Sequence, residues 1–130
     1  MSARLLEDIG AKLLITVLAI FAPAKAMVLT TLSLCLVDLI TGVLAARKRG
    51  ETITSAGLGR TITKLAVYET AVLLAFLTQQ YLTGPNVPCA QIVASLIGLT
   101  ELTSCMENMN SISGTDVLKS VIDKLSSKNK

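Results

Sequence analysis

Apolar residues fall along the chain in long blocks, and the polar stretches between them are short and punctuated by glycine or proline. Residues 2–12 mix Arg4, Glu7, Asp8 and Lys12 with Leu5, Leu6, Ile9 and Ala11, the spacing of an amphipathic helix. Leu13 to Ala22 is apolar and stops at Pro23; at about ten residues it has half the length that a bilayer-crossing helix needs. Ala26 to Ala46 is a run of 21 residues broken by one charge, Asp38, and is long enough to cross. Leu65 to Thr83 supplies 19 more, with Glu69 near its start and Gln79 and Gln80 near its end. Gly84-Pro85-Asn86 signals a turn. Val87 to Met106 is the last long run; it contains Glu101, and Glu107 and Asn108 follow it. After Ser113-Gly114, the stretch Thr115 to Leu125 puts Val117, Leu118, Val121, Ile122 and Leu125 on one helical face. Asp116, Lys119, Asp123 and Lys124 lie opposite, Thr115 reads as the N-cap, and Ser126 to Lys130 forms a polar tail.

This pattern predicts an all-α, small integral membrane protein with three to four transmembrane helices plus a C-terminal amphipathic helix. Its parts are an N-terminal amphipathic and short apolar segment over 1–24, a transmembrane core over 25–112, and a C-terminal helix with a basic tail over 113–130. Composition agrees: 52% of residues are hydrophobic and 16% charged, against roughly 25% charged in soluble domains. The first apolar segment has three readings. It lies at the interface, it crosses as a short tilted helix with Lys12 reaching the headgroups, or it is a signal peptide with Ala24-Lys25-Ala26 as the cleavage site.

Basic residues set the orientation. With the turn between the first two long runs placed in the cytoplasm and four segments crossing, both termini are cytoplasmic. Eleven of the 12 basic residues are then inside, Arg47, Lys48, Arg49, Arg60 and Lys64 among them, and Lys25 alone is outside. If the first segment does not cross, Arg4 and Lys12 move outside and the split falls to nine against three. The rule therefore favours four crossings.

Each long run carries one acid, and Asp38, Glu69 and Glu101 all fall in the cytoplasmic half, about 8–14 Å from its edge at about 1.5 Å per residue. Such groups cost about 2.5–3.5 kcal/mol at the centre of a membrane helix, so they must meet another helix, water or a cation. Arg60 and Lys64 are the nearest candidate partners for Asp38 and Glu69. The acids either staple helices together or line a water-filled space. Small residues recur four apart, at Gly42 and Ala46, Ala71 and Ala75, Ala94 and Gly98, a spacing that lets helices approach closely in lipid. On the last run Gln91, Ser95, Gly98, Glu101, Cys105 and Asn108 form one polar-or-small stripe, suited equally to packing inside a subunit and to lining a pore.

Chemistry is otherwise sparse. There is no histidine, no phosphate-cradling glycine loop and no nucleophile elbow, so catalysis is not expected, nor are a metal, a cofactor or a nucleic-acid partner. The three cysteines stand alone; Cys35 and Cys105 read as small buried side chains, and Cys89 is the one placed to cross-link subunits on an oxidising side.

Several of these residues together resemble the toxin-secretion/phage-lysis holin family. They are Asp38-Leu-Ile-Thr41-Gly42 with Ala45-Ala46, the basic turn, Ser55 with Gly57 and Gly59, Lys64, and Glu101-x-x-Ser104-x-x-Glu107-Asn108, and the resemblance covers roughly residues 28–125. Where that family often has a Gly-Val-Pro-Val-Pro-like step, this chain has Ser113-Gly114-Thr115-Asp116. The resemblance implies a phage-encoded protein of the bacterial inner membrane that accumulates, self-associates abruptly and opens holes. A murein-degrading endolysin, or in related systems a toxin, then leaves the cytoplasm through them. It would be a homo-oligomer whose solvent is the lipid bilayer and whose functional partner passes through without having to bind. Two other classes fit the same residues: a small ion or solute channel or transporter using Asp38, Glu69 and Glu101, and a membrane scaffold of a phage or secretion assembly that docks through its C-terminal helix.

Overall fold

The computed structural model describes residues 3–127 and, within them, the backbone alone of Ala3 and Leu118; the tail residues Lys128 and Lys130 lie outside the described residues. Helix α1 (Ala3–Phe21) passes through a 3-10 turn at Ala22–Ala24 into α2 (Lys25–Lys48). A short connection leads to α3 (Ser55–Thr78), which a π-helical turn extends through Thr83, and then come α4 (Cys89–Ser113) and α5 (Val117–Ser127). No strand occurs among the described residues.

Three stretches are long and apolar enough to cross a membrane: Arg4–Lys48, Ser55–Thr83 and Cys89–Ser113. They give a three-helix bundle of α2, α3 and α4, in which α4 packs along both neighbours and most extensively along α2. The register follows from side-chain pairs. Asp38 meets Lys64 and Thr31 meets Glu69, so α2 and α3 are antiparallel; Asp38 meets Asn108 and Lys48 meets Ile112, so α2 and α4 are parallel.

The bundle has a basic end and a proline end. At the basic end Gly50, with φ of 75°, closes α2: its N–H donates to Arg47 O and the Glu51 N–H donates to Ala46 O. A left-handed residue is needed at that point, and glycine adopts it without a Cβ clash. Thr54 then starts α3, its hydroxyl accepting from the Gly57 N–H at 3.2 Å. At the proline end Pro85 and Pro88 lie in the α3–α4 connection and Pro23 lies at the α1–α2 junction. The core there is Ala24, Phe76 and Ala90, with Phe21 and Phe76 rings 6.2 Å apart. Small residues dominate because closely packed helices leave little room.

Two expectations change. Three helical stretches are candidate spans where four crossings were favoured, because the chain stays helical through Pro23: Phe21, Ala24 and Lys25 all keep right-handed helical angles. Arg4–Lys48 is about 68 Å of helix at about 1.5 Å per residue, far beyond a hydrocarbon core of about 30 Å. Helix α2 alone is long enough to cross, and the side chains of α1 are exposed from Arg4 to Ile20, with Phe21 half-buried against Phe76. The second change concerns α5. Its start is capped by Asp116, whose Oδ1 accepts from the Lys119 N–H at 3.1 Å, and not by Thr115, whose hydroxyl donates to Ser113 Oγ instead.

Candidate functional site

A polar knot fastens the three bundle helices. Asp38 on α2, Lys64 on α3 and Glu101 on α4 each lie 9–12 residues inside the basic end of their helix, about 14–18 Å along the axis. Lys64 Nζ donates to Asp38 Oδ2 at 2.7 Å and to Glu101 Oε2 at 2.8 Å. Asn108 Nδ2 donates to Asp38 Oδ1 at 3.1 Å and to Thr41 Oγ1 at 3.2 Å. Glu101 is fully buried, at 1% exposure, and Asp38 and Lys64 are half-buried. With all three groups ionised the knot carries a formal charge of −1. Its helices therefore cannot part within lipid without exposing charge, and a buried pair that loses one partner typically costs about 3–5 kcal/mol.

Close approach makes this reach possible. Gly42 faces Asn108, where an added Cβ would sit 3.5 Å from Nδ2, and Gly98 faces Leu34, where it would sit 3.5 Å from Cδ1. Side chains that bulge at either place would push α2 from α4 and lengthen the Asp38–Asn108 bond. Ala45, Cys35 and Cys105 are also buried, small side chains at different depths along α2 and α4.

Beside the knot a cleft of about 340 Å³ opens between α2, α4 and the start of α3. Asp38 and Asn108 line its floor, Gly42, Ala46 and Ser104 its wall, and Thr54 and Arg60 its mouth. Polar groups thus extend from the loop at the basic end to a carboxylate well inside the bundle.

Glu69 belongs elsewhere. Thr31 donates to its Oε1 at 2.9 Å, and its Oε2 is buried without a protein partner. The expectation that Arg60 or Lys64 pairs with Glu69 is corrected here: Lys64 goes to Asp38 and Glu101, and Arg60 is exposed at the cleft mouth. Lys64 and Glu69 are five residues apart, a separation of 500° around a helix, so they point to different neighbours.

The stripe on α4 divides into two. Glu101, Cys105 and Asn108 face the bundle, whereas Gln91 and Ser95 are exposed beside Ala94 and Gly98 in a separate groove against Thr30 and Leu34. Ala71 and Ala75 on α3 are half-buried, flanking the buried Val72 and Phe76. Of the basic residues, Lys48 donates to the Ile112 carbonyl at the end of α4, and Arg49 Nη1 donates to Ser111 Oγ at 3.0 Å. Arg47 is exposed. Arg49 also pairs with Glu51 at 2.6 Å, and this hydrogen bond holds the Glu51 carboxyl below its ordinary range. Three contributors escape a sequence reading. Thr41 accepts from Asn108, Gln79 Oε1 accepts from the Ala90 N–H at 3.0 Å, and Asn110 Oδ1 accepts from the Val117 N–H at 2.9 Å. Gln79 and Asn110 lie beside predicted breaks, where amides often cap helix ends, and that position is their only signal.

Among known families, the model of the bacteriophage holin family matches residues 15–127, which takes in all three bundle helices and α5. No curated protein matches, and no solved structure matches. The match extends over most of the chain and includes every residue of the polar knot, so this membrane protein, with its three candidate spans, belongs to the bacteriophage holin family.

Proposed function

We propose that the protein permeabilises the bacterial inner membrane by self-association and so releases a phage endolysin, or in a related system a toxin, from the cytoplasm. Family membership over residues 15–127 is the observation that carries this reading. The polar knot supplies a physical route. In an isolated subunit Lys64 satisfies Asp38 and Glu101 internally, which hides the charge from lipid. At high surface density the same groups re-pair between copies, with water on the open side, and mass action alone drives the change. The cleft, whose polar lining already reaches Asp38, is where water enters first. No step requires catalysis by the chain.

The basic end faces the cytoplasm in this reading. Among the described residues Arg47, Lys48, Arg49, Arg60, Lys64, Lys119 and Lys124 lie there, seven basic residues against Arg4, Lys12 and Lys25 on the other face. Because the chain does not reverse at Pro23, the N-terminus is on the opposite face from the C-terminus, a departure from the arrangement with both ends inside. A protease that digests an N-terminal tag in intact spheroplasts, while sparing a C-terminal one, supports this topology; the reverse result removes it.

The decisive experiment expresses the protein in bacteria together with a cytoplasmic endolysin that has no export signal. Abrupt lysis that depends on the protein is the expected result, and equal lysis without it defeats the proposal. The polar cleft favours one second reading, a small ion channel. Vesicles that pass ions but retain an encapsulated folded protein would select that reading instead.

A further inference from the structure

We propose that α5 is an in-plane anchor, lying on the anionic headgroup layer of the leaflet at the basic end with Val121, Ile122 and Leu125 in the upper acyl region. Three observations converge on a lipid surface as its partner. The first is an uncovered apolar face: Val121, Ile122 and Leu125 are 48%, 55% and 63% exposed, on a helix whose other face carries Lys119, Ser120, Asp123 and Lys124. A short helix of this pattern gains little by standing in water, and gains most at an interface that is apolar on one side and charged on the other.

The second is continuity with the membrane. Helix α5 begins four residues after α4 ends, and the joint is built, not loose. Gly114 takes a left-handed conformation and donates to Asn110 O at 2.9 Å, the Asn110 side chain caps Val117, and Asp116 caps Lys119. The chain therefore turns at the end of a spanning helix and starts a new helix at that depth. The third is charge. Lys48 and Arg49 hold the last turn of α4 through Ile112 and Ser111, so the joint lies in the same layer as Arg47, Lys48 and Arg49. Helix α5 with its cap brings Lys119 and Lys124 against Asp116 and Asp123, so the net positive charge of that layer comes from Arg47, Lys48 and Arg49. Basic groups clustered just beyond a spanning helix are drawn to anionic lipid. The apolar face is set to enter the same leaflet.

The proposal does not rest on hole formation, and a protein that never permeabilises a membrane would still show it. The chain contains no tryptophan, so single substitutions report cleanly. Full-length Ile122→Trp and Ser120→Trp proteins are reconstituted into vesicles of phosphatidylcholine with one quarter phosphatidylglycerol. Acyl-chain-brominated lipid should quench Ile122→Trp severalfold more than Ser120→Trp, and aqueous iodide should do the opposite. Quenching by bromine should weaken when phosphatidylglycerol is omitted. Equal iodide access for the two probes overturns the proposal, because α5 then stands in water. Protection of Ile122→Trp from iodide without bromine quenching overturns it too, since another copy of the chain then covers the face. Bromine quenching that is indifferent to phosphatidylglycerol removes the role of the headgroups.

Discussion

The two ends of the bundle are held by different forces. At the proline end, Ala24, Phe76 and Ala90 meet through apolar contacts, with Phe21 laid against Phe76. Toward the basic end, Lys64 joins Asp38 and Glu101 while Asn108 joins Asp38 and Thr41. In water the apolar cluster would be the stronger of the two. In lipid, acyl chains compete for the same contacts on nearly equal terms, so apolar packing there rests on shape and small residues alone. Hydrogen-bonded charges have no such substitute in the hydrocarbon. The polar half therefore fixes which helices associate and in what register, and the apolar half can loosen at lower cost. The self-association proposed above would draw on that asymmetry.

Substitutions can break the comparison. Lys64→Met leaves the buried Glu101 and the half-buried Asp38 without their shared cation, and is expected to cost about 3–5 kcal/mol of bundle stability, read by denaturant titration of the reconstituted protein. Combining it with Asp38→Asn and Glu101→Gln should recover most of that loss; no recovery would mean that Lys64 acts through something other than charge compensation. At the other end Phe76→Ala, buried at 5% exposure, should cost about 1–2 kcal/mol, below the 3–5 typical of soluble cores because lipid can refill the space. If Phe76→Ala proves the more damaging of the two, the asymmetry is reversed.

Smaller effects sharpen the picture. Gly42→Ala places a methyl group at ordinary contact distance from Asn108 and should cost less than about 1 kcal/mol, whereas Gly42→Leu should separate α2 from α4 and abolish the Asn108 bond. Infrared bands of isotope-labelled asparagine would show the difference. Glu69→Gln keeps an acceptor for Thr31 and puts a neutral amide nitrogen in the buried, unpartnered position of Oε2, so stability should change by less than about 1 kcal/mol. The weakest effect belongs to the exposed Arg49–Glu51 pair. Its carboxyl is held below the ordinary value of 4.5 by the Arg49 hydrogen bond, so its contribution is complete above that pH and disappears as pH falls through the lower folded value. Any stability difference between the wild type and Glu51→Gln at pH 7 should therefore shrink as the pH is lowered below 4.5.

Much of this was legible in the residues. The three long runs, the breaks near Gly50, Gly84-Pro85 and Gly114, and the amphipathic end are consequences of helix length and glycine chemistry, which act locally. The importance of Asp38 and Glu101 was equally plain, since an acid in a 20-residue apolar run demands a partner. Which partner was not legible. Lys64 is 26 residues from Asp38 and 37 from Glu101 in sequence, and it lies nearer to Glu69, which it does not touch. The stripe on α4 misled in a similar way: its 3–4 spacing is continuous in sequence, yet Gln91 and Ser95 lie open in a groove and Glu101 and Asn108 face the bundle. Pro23 invited a reversal that the backbone does not make, because proline excludes a hydrogen bond at one position without dictating the direction of the next helix.

The sequence by itself determined that this chain lives in lipid, how long its helices are, where they end, and that a few acids must be neutralised within them. These follow from transfer energies and backbone geometry, which each segment obeys alone. Only the tertiary structure decided that one lysine serves two carboxylates on two other helices, that Asn108 completes the set, and that Glu69 stands apart with Thr31. Those choices depend on the rotation and depth at which three helices meet, and no single segment carries that information.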